Sequence, residues 1–192
     1  MAAVPLVVFS DFACPFSYVA EAAVRRMQRE GQVQPTWMAF ELHPAPGPLP
    51  EMNGAWMDAL RPLADELGLP LSVPPLAVRT RKAHEAAAFA ARNGVGVRMR
   101  EALFAAYFGE GRDISRIDVL AELGAGVGLD ATEMHVVLDV GGAAARIDAE
   151  LEAARGVGVQ QTPTLVAGTG DEARWIVGAR PFAELRAAIL EQ

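Results

Sequence analysis

The feature that most constrains the fold of this chain is that its hydrophobic period changes twice along the sequence. Residues 4–9 form a short apolar, β-branched run of the kind found in buried strands, and residues 33–40 alternate as a second strand. Between them, apolar residues recur at helical spacing from Pro15 to Gly31. These segments predict a strand, helix, strand unit, in which the crossover connection makes the two strands parallel.

The middle of the chain is predicted to be helical. Four prolines between residues 41 and 51 mark a connection into this part. Ser115 with Asp118, and Asp130 with Glu133, have the spacing of capping pairs at helix starts. Alanine- and leucine-rich segments with helical period predict helices over residues 57–67, 79–92, 97–108, 115–123, 132–138 and 143–155.

The chain returns to strand periodicity near its end. Residues 164–167 and 174–177 are predicted strands, joined by a glycine- and aspartate-containing turn at 168–172. Pro181 suits the first turn of a last helix that ends at Leu190. Strands therefore flank the helical middle on both sides.

This order of elements predicts an α/β fold, specifically a thioredoxin-like fold with an inserted all-helical domain. Residues 1–45 and 156–192 are assigned to one discontinuous thioredoxin-like domain, and residues 46–155 to the helical insertion. A chain of 192 residues is long enough to bury one substantial core.

Composition excludes several classes of function. The net charge is -7 and both signs are mixed along the chain, so no basic stripe is available for nucleic acid. The apolar residues 1–9 lack the basic leader of a signal peptide, and no run approaches the roughly 18 apolar residues of a membrane span. The single cysteine cannot form an internal disulfide, which favours the reducing cytoplasm.

That cysteine, Cys14, begins a C-x-x-S motif at the predicted turn from strand to helix. Free backbone N–H groups and the helix dipole favour a thiolate there, so a lowered pKa and a nucleophilic role are expected. The alternative is a small buried hydrophobe. Ser17, one turn along the helix, is expected to hydrogen-bond the sulfur, but it cannot resolve a mixed disulfide. Pro15 and Phe16 complete the motif and are assigned to thiol or substrate binding.

Thr162 and Pro163 stand before the third strand and are assigned to substrate binding. A cis bond would turn the Thr162 backbone toward Cys14, where an extended peptide or glutathione could pair with it. His84, on the helix over 79–92, is a further candidate for substrate binding, against the alternative of an ordinary helix histidine. The histidines lack metal-ligand spacing, so no metal site is expected.

Several segments together resemble the DsbA-like thioredoxin family, and in particular its cytoplasmic FrnE-type branch. The resemblance implies a thioredoxin-like sheet interrupted by a helical domain, with Cys14 as the attacking thiol and Pro163 as a cis-proline. It rests on SDFACPFSY at 10–18, MAFELHP at 38–44, AHEAAAFAARNG at 83–94, ALFAAYFGEGRDIS at 102–115 and GVGVQQTPTLVAG at 156–168.

The sequence departs from this branch at Ser17, where its members typically carry a second cysteine. The same motif also resembles the 2-hydroxychromene-2-carboxylate isomerases and kappa-class glutathione transferases. Those typically read S-P-Y-S or S-P-F-S, whereas Cys14 stands at the first position here.

Three functions follow, in order of preference. The first is a monothiol oxidoreductase whose Cys14 thiolate attacks mixed or protein disulfides and is released by glutathione or another small thiol. The second is a glutathione-dependent isomerase or transferase. The third is a non-catalytic thiol- or peptide-binding module. No bound cofactor is expected, the partner is a small or protein thiol or disulfide, and either a monomer or a homodimer is compatible with the sequence.

Overall fold

The computed structural model describes residues 2–191 and begins with the predicted strand, helix, strand unit. The two strands run parallel, and the register pairs Val4 with Val33 and Ser10 with Ala39. Pro15 occupies the first turn of the helix, where its missing N–H removes no helical hydrogen bond. The bounds of this unit are β1, Val4–Ser10; α1, Pro15–Arg29; and β2, Val33–Ala39.

Helices occupy the middle of the chain. The helix predicted over 97–108 divides in two, because the α-helix ends at Phe104 and a π-helical turn, Ala105–Gly109, follows. There, the Glu110 N–H donates to the Ala105 carbonyl at 3.1 Å. The helices are α2, Met57–Glu66; α3, Arg81–Arg92; α4, Gly96–Phe104; α5, Ile117–Gly126; α6, Ala131–Asp139; and α7, Ala144–Gly156.

One of the two predicted caps is confirmed. The Asp130 side chain caps α6 by accepting from the Glu133 N–H at 2.8 Å. The predicted Ser115 cap is wrong, because α5 begins after Arg116 and has no side-chain cap. The Ser115 hydroxyl instead donates to Asp113 Oδ1 at 2.6 Å, a local turn that competes with capping.

The C-terminal strands complete a four-stranded sheet in the order β2-β1-β3-β4. β3 is antiparallel to β1 and to β4, and Thr164 pairs with Phe9. This pairing places the residues just before β3 beside the loop that follows β1. The remaining elements are β3, Thr164–Ala167; β4, Arg174–Val177; and α8, Phe182–Leu190.

The helical part packs directly on the segment that carries the cysteine. Phe12 and Tyr18 are buried and belong to the same apolar cluster as Phe104 of α4. The ring centroids lie 4.9 Å apart for Phe12 and Phe104, and 5.3 Å apart for Tyr18 and Phe104. No helix within residues 2–191 combines the length and apolar character that crossing a membrane requires.

A buried charged cluster joins α1 to α4. Glu21 is fully buried, and its carboxylate accepts from Arg100 Nε at 2.8 Å and from Arg25 Nη1 at 3.3 Å. The Ser10 hydroxyl donates to the same carboxylate. Arg100 and Arg25 are 6% and 3% exposed. The cluster therefore fixes the helix that begins at the cysteine against the helical part of the chain.

Candidate functional site

Cys14 is the N-cap residue of α1 and lies where the loop after β1 enters the helix. Its N–H donates to the Asp11 carbonyl at 3.0 Å, and its carbonyl accepts from the Tyr18 N–H at 3.2 Å. Only 3% of the residue is exposed. The turn therefore fixes the Cys14 backbone at both its N–H and its carbonyl.

The Thr162–Pro163 peptide bond is cis and faces the cysteine. Cys14 Sγ lies 3.4 Å from the Thr162 carbonyl oxygen, to which the thiol donates. The hydroxyl of Thr162 is buried and has no hydrogen-bond partner. Thr164 Oγ1 donates to the Gln161 carbonyl at 2.7 Å and braces this turn. Thr162 thus presents an acceptor to the thiol and keeps an unused hydroxyl beside it.

The expected lowering of the Cys14 pKa is wrong. Burial raises the pKa of the Cys14 thiol, and the negative charge of Asp11 adds to the rise. Contacts with Thr162 and with the side chain and N–H of Ser17 oppose the rise without cancelling it. The sequence predicts the helix start correctly. It does not predict the burial of the sulfur, because the residues that surround the sulfur come from segments far apart in the chain.

Ser17 lies beside Cys14, as its spacing predicts. It is fully buried, and its hydroxyl oxygen accepts from the Asp11 N–H at 3.4 Å. Its side chain and N–H lower the pKa of the thiol. Since Cys14 is the only cysteine of the chain, no internal thiol can displace a group bound to it.

A cavity of about 470 Å³ opens beside Cys14, Pro15 and Phe16. This volume lies within the usual range for small-molecule sites. The proline-rich segment, expected only to connect domains, forms one wall of the cavity. From that segment and its neighbours come the apolar Leu42, Met52 and Trp56 and the polar His43, Glu51 and Asn53, and Gln161 and Thr162 also line the cavity.

His84 does not line this cavity. Its Nε2 lies 3.1 Å from the Phe40 carbonyl and 3.6 Å from Asp11 Oδ1, and its ring packs 4.9 Å from the ring of Phe12. The structure therefore places His84 against Asp11, behind the turn that carries Cys14. The described residues contain no group of three or more histidine, cysteine or acidic side chains that could hold a metal ion.

Asp11 is the residue of this site that the sequence did not single out. Burial raises the pKa of its carboxyl, but His84, the Leu42 N–H and the Thr80 side chain outweigh burial and hold the pKa below its ordinary value. Asp11 is therefore a buried carboxylate next to the thiol. Its position three residues before Cys14, at the end of a strand, is the one signal that could have indicated it.

Comparisons with known proteins place this chain in a family. The family model of the DSBA-like thioredoxin domain matches residues 5–190. The uncharacterised protein YwbO of Bacillus subtilis (strain 168) is 32% identical over 140 residues, which cover 69% of this chain and 70% of YwbO.

Solved structures show the same fold. A probable DsbA oxidoreductase, SCO1869 from Streptomyces coelicolor, has a TM-score of 0.82 at 25% identity, covering 97% of this chain and 88% of its own. A 2-hydroxychromene-2-carboxylate isomerase has a TM-score of 0.79 at 19% identity, covering 96% of this chain and 93% of its own. The second likeness shows the fold alone. The expected family is confirmed, and the chain belongs to the DsbA-like thioredoxin family.

Proposed function

We propose that this protein is a monothiol oxidoreductase that exchanges mixed disulfides of small thiols, with glutathione as the expected co-substrate. Within the family we place it in the FrnE-type branch, because the segments around Cys14 and Pro163 resemble that branch. A single cysteine suits a reducing compartment, so we place the reaction in the cytoplasm.

The chemistry has two balanced exchanges. Cys14 loses its proton to solvent, and the thiolate attacks the glutathione sulfur of a mixed disulfide. A Cys14–glutathione disulfide forms, and the substrate leaves as a thiolate that takes up a proton. A second glutathione, as thiolate, then attacks the glutathione sulfur of this adduct, which releases oxidised glutathione and returns Cys14 as a thiol. In total, the mixed disulfide and one reduced glutathione give the free substrate thiol and one oxidised glutathione, whose other half comes from the substrate disulfide.

The observation that carries the proposal is the placement of a lone cysteine at the start of α1, with its sulfur 3.4 Å from the Thr162 carbonyl. A substrate that enters the cavity meets the thiol, the Thr162 backbone and an unpartnered Thr162 hydroxyl together. Because the cavity is small and has apolar walls, we favour small-molecule disulfides over extended protein segments.

The raised thiol pKa shapes the kinetics of this reaction. Only a small fraction of Cys14 is ionised at neutral pH, so the first exchange is slow there and accelerates as pH rises. A thiolate of high pKa is also intrinsically more nucleophilic, which offsets part of the loss.

Mass spectrometry and turnover test the proposal. The wild-type protein, incubated with oxidised glutathione, should gain one glutathione and lose it when reduced glutathione is added. It should also turn over bis(2-hydroxyethyl) disulfide in excess reduced glutathione. The Cys14→Ser protein should do neither. Equal turnover by wild type and Cys14→Ser would refute the proposal, and an adduct without turnover would favour a thiol-binding module.

A second function is favoured by the protonation state of the thiol. A Cys14 S–H is a donor, and in a glutathione-dependent isomerase such a donor would orient the thiolate of bound glutathione, which would then be the nucleophile. The apolar wall formed by Leu42, Met52 and Trp56 would hold the organic substrate.

The same Cys14→Ser protein separates the two functions, since serine keeps a hydrogen-bond donor but loses the thiol. It should keep glutathione-dependent isomerisation of 2-hydroxychromene-2-carboxylate while losing disulfide turnover. Calorimetry with S-methylglutathione, which cannot form a disulfide, measures the underlying binding. Absence of heat with this ligand would remove the isomerase.

A further inference from the structure

We propose that Asp11 is a positioning residue for Cys14: its carboxylate joins the turn that carries the thiol to the facing wall of the cavity, and His84 holds that carboxylate in place. This inference rests on the proposed thiol chemistry of Cys14. It assigns roles to a carboxylate and a histidine that do not line the cavity themselves.

The contacts of Asp11 reach both sides of the site. Oδ1 accepts from the Ala13 N–H at 3.1 Å, and Oδ2 accepts from the Leu42 N–H at 2.7 Å. The Asp11 carbonyl accepts from the Cys14 N–H at 3.0 Å, and its N–H donates to Ser17 Oγ at 3.4 Å. One residue, 1% exposed, therefore contacts Ala13, Cys14 and Ser17 of the thiol turn.

Two of these contacts bear directly on the shape of the cavity. Ala13 and Leu42 both line it, Ala13 from the loop before α1 and Leu42 from the segment after β2. The Asp11 carboxylate lies between them and accepts from both backbone N–H groups. Without it, those two N–H groups would be left without partners and the wall would lose its fixed distance from the thiol.

His84 holds the carboxylate from the opposite side. Its Nε2 faces the Phe40 carbonyl and Asp11 Oδ1, and because both are acceptors, Nε2 carries a proton. The ring of Phe12 packs on the imidazole, and the Thr80 side chain also bonds the carboxylate. His84 belongs to α3, so the helical part of the chain reaches the thiol turn through this contact.

The carboxylate also acts on the thiol through its charge, because a negative charge so close opposes ionisation of Cys14. The same charge acts on a second group, since burial, with added contributions from the charges of Asp11 and Asp113, raises the pKa of Tyr107 to about 12. The titratable side chains that line the cavity with Cys14 are His43 and Glu51.

The test is the pH dependence of Cys14 alkylation by iodoacetamide. In Asp11→Asn, the midpoint should fall by roughly one pH unit, because the like charge is removed. Asp58→Asn, an exposed carboxylate at the start of α2, should leave the midpoint unchanged. A folded Asp11→Asn protein whose midpoint is unchanged or higher would overturn the inference, because removal of a nearby negative charge has to favour the thiolate.

His84→Phe provides a second variant that keeps the buried carboxylate. It should shift the alkylation midpoint in the wild-type background and should leave it unchanged in the Asp11→Asn background, because His84 acts through Asp11. If Asp11→Asn does not fold, a midpoint unaltered by His84→Phe alone overturns the inference. Alkylation does not require turnover, so a wild type that shows these shifts without exchanging disulfides refutes only the proposed function.

Discussion

Replacing Glu21 by glutamine should destabilise the protein strongly, because the change removes the negative charge that balances two buried arginines. Arg100 and Arg25 both pair with Glu21, and neither guanidinium can move into water without disrupting the contact between α1 and α4. Glutamine preserves the volume and one acceptor oxygen. The variant therefore tests the charge and not the packing.

The expected loss follows from the burial of this cluster. Removing one partner of a buried ion pair costs about 3–5 kcal/mol, and the oxygen that glutamine keeps favours the lower end, about 3 kcal/mol. Arg25 retains Glu101, whose carboxylate lies 3.2 Å from its Nε. Arg100 has no second carboxylate among the described residues. For a chain of this size, about 3 kcal/mol lowers the Tm by roughly 10 °C.

Glu30→Gln is the matched control, since Glu30 follows the same helix and pairs with Arg26 at i,i+4 spacing. Both of these side chains are more than 40% exposed, so the change should cost at most about 0.5 kcal/mol. Thermal and urea unfolding followed by circular dichroism measure both variants. Equal stability of Glu21→Gln and wild type would refute the assignment of Glu21 as the balancing charge.

The difference between Glu21→Gln and wild type should depend on pH. Burial raises the pKa of Glu21, but Arg100 and Arg25 outweigh burial and hold the pKa below its ordinary value. The contribution of the carboxylate is thus complete above an unfolded pKa of about 4.3 and is lost as pH falls through the folded pKa. The stability difference should therefore shrink in acid and stay constant from pH 6 to pH 8, roughly the range in which carboxylates are ionised.

Three further predictions concern the thiol and the packing of the helices. Alkylation of wild-type Cys14 should have its pH midpoint above the roughly 8.5 of a free thiol, and a midpoint below that value in a stopped-flow pH series would contradict the burial argument. Ser17→Cys should form an internal disulfide with Cys14 and release bound glutathione without added thiol, seen by mass spectrometry; persistence of the adduct would show that position 17 cannot reach it. Gly124→Ala should cost about 1–3 kcal/mol, because its Cβ would overlap the Met134 sulfur, whereas Gly126→Ala, which meets open space, should be neutral or stabilising by up to about 1 kcal/mol in urea unfolding.

Local signals predicted most of the elements. The strands over 164–167 and 174–177 have the predicted bounds, since each is a short run whose period is visible in the sequence. The π-helical turn after Phe104 was missed because its residues keep a helical pattern, and only the i+5 hydrogen bond distinguishes it. Ser115 does not cap α5, because its hydroxyl donates to the neighbouring Asp113 instead.

The candidate site likewise combines features that the sequence predicts with features that it does not. The motif at Cys14 and the turn at Pro163 are short segments whose residue types indicate thiol chemistry, and antiparallel pairing of β3 with β1 brings them together. The role of the proline-rich segment as a cavity wall was not visible, because proline content shows that a segment connects elements and does not show where it lies.

The sequence by itself determined the order of strands and helices and the identity of the nucleophile candidate, because periodicity, turn residues and a single cysteine are properties of neighbouring residues. Only the tertiary structure decided the protonation state of that cysteine. The pKa of Cys14 depends on how much water reaches the sulfur and on the charge of Asp11, and both are set by segments far apart in the chain. The pairing of Glu21 with Arg100 has the same origin, since hydrogen bonds and charges act through space and leave no local pattern.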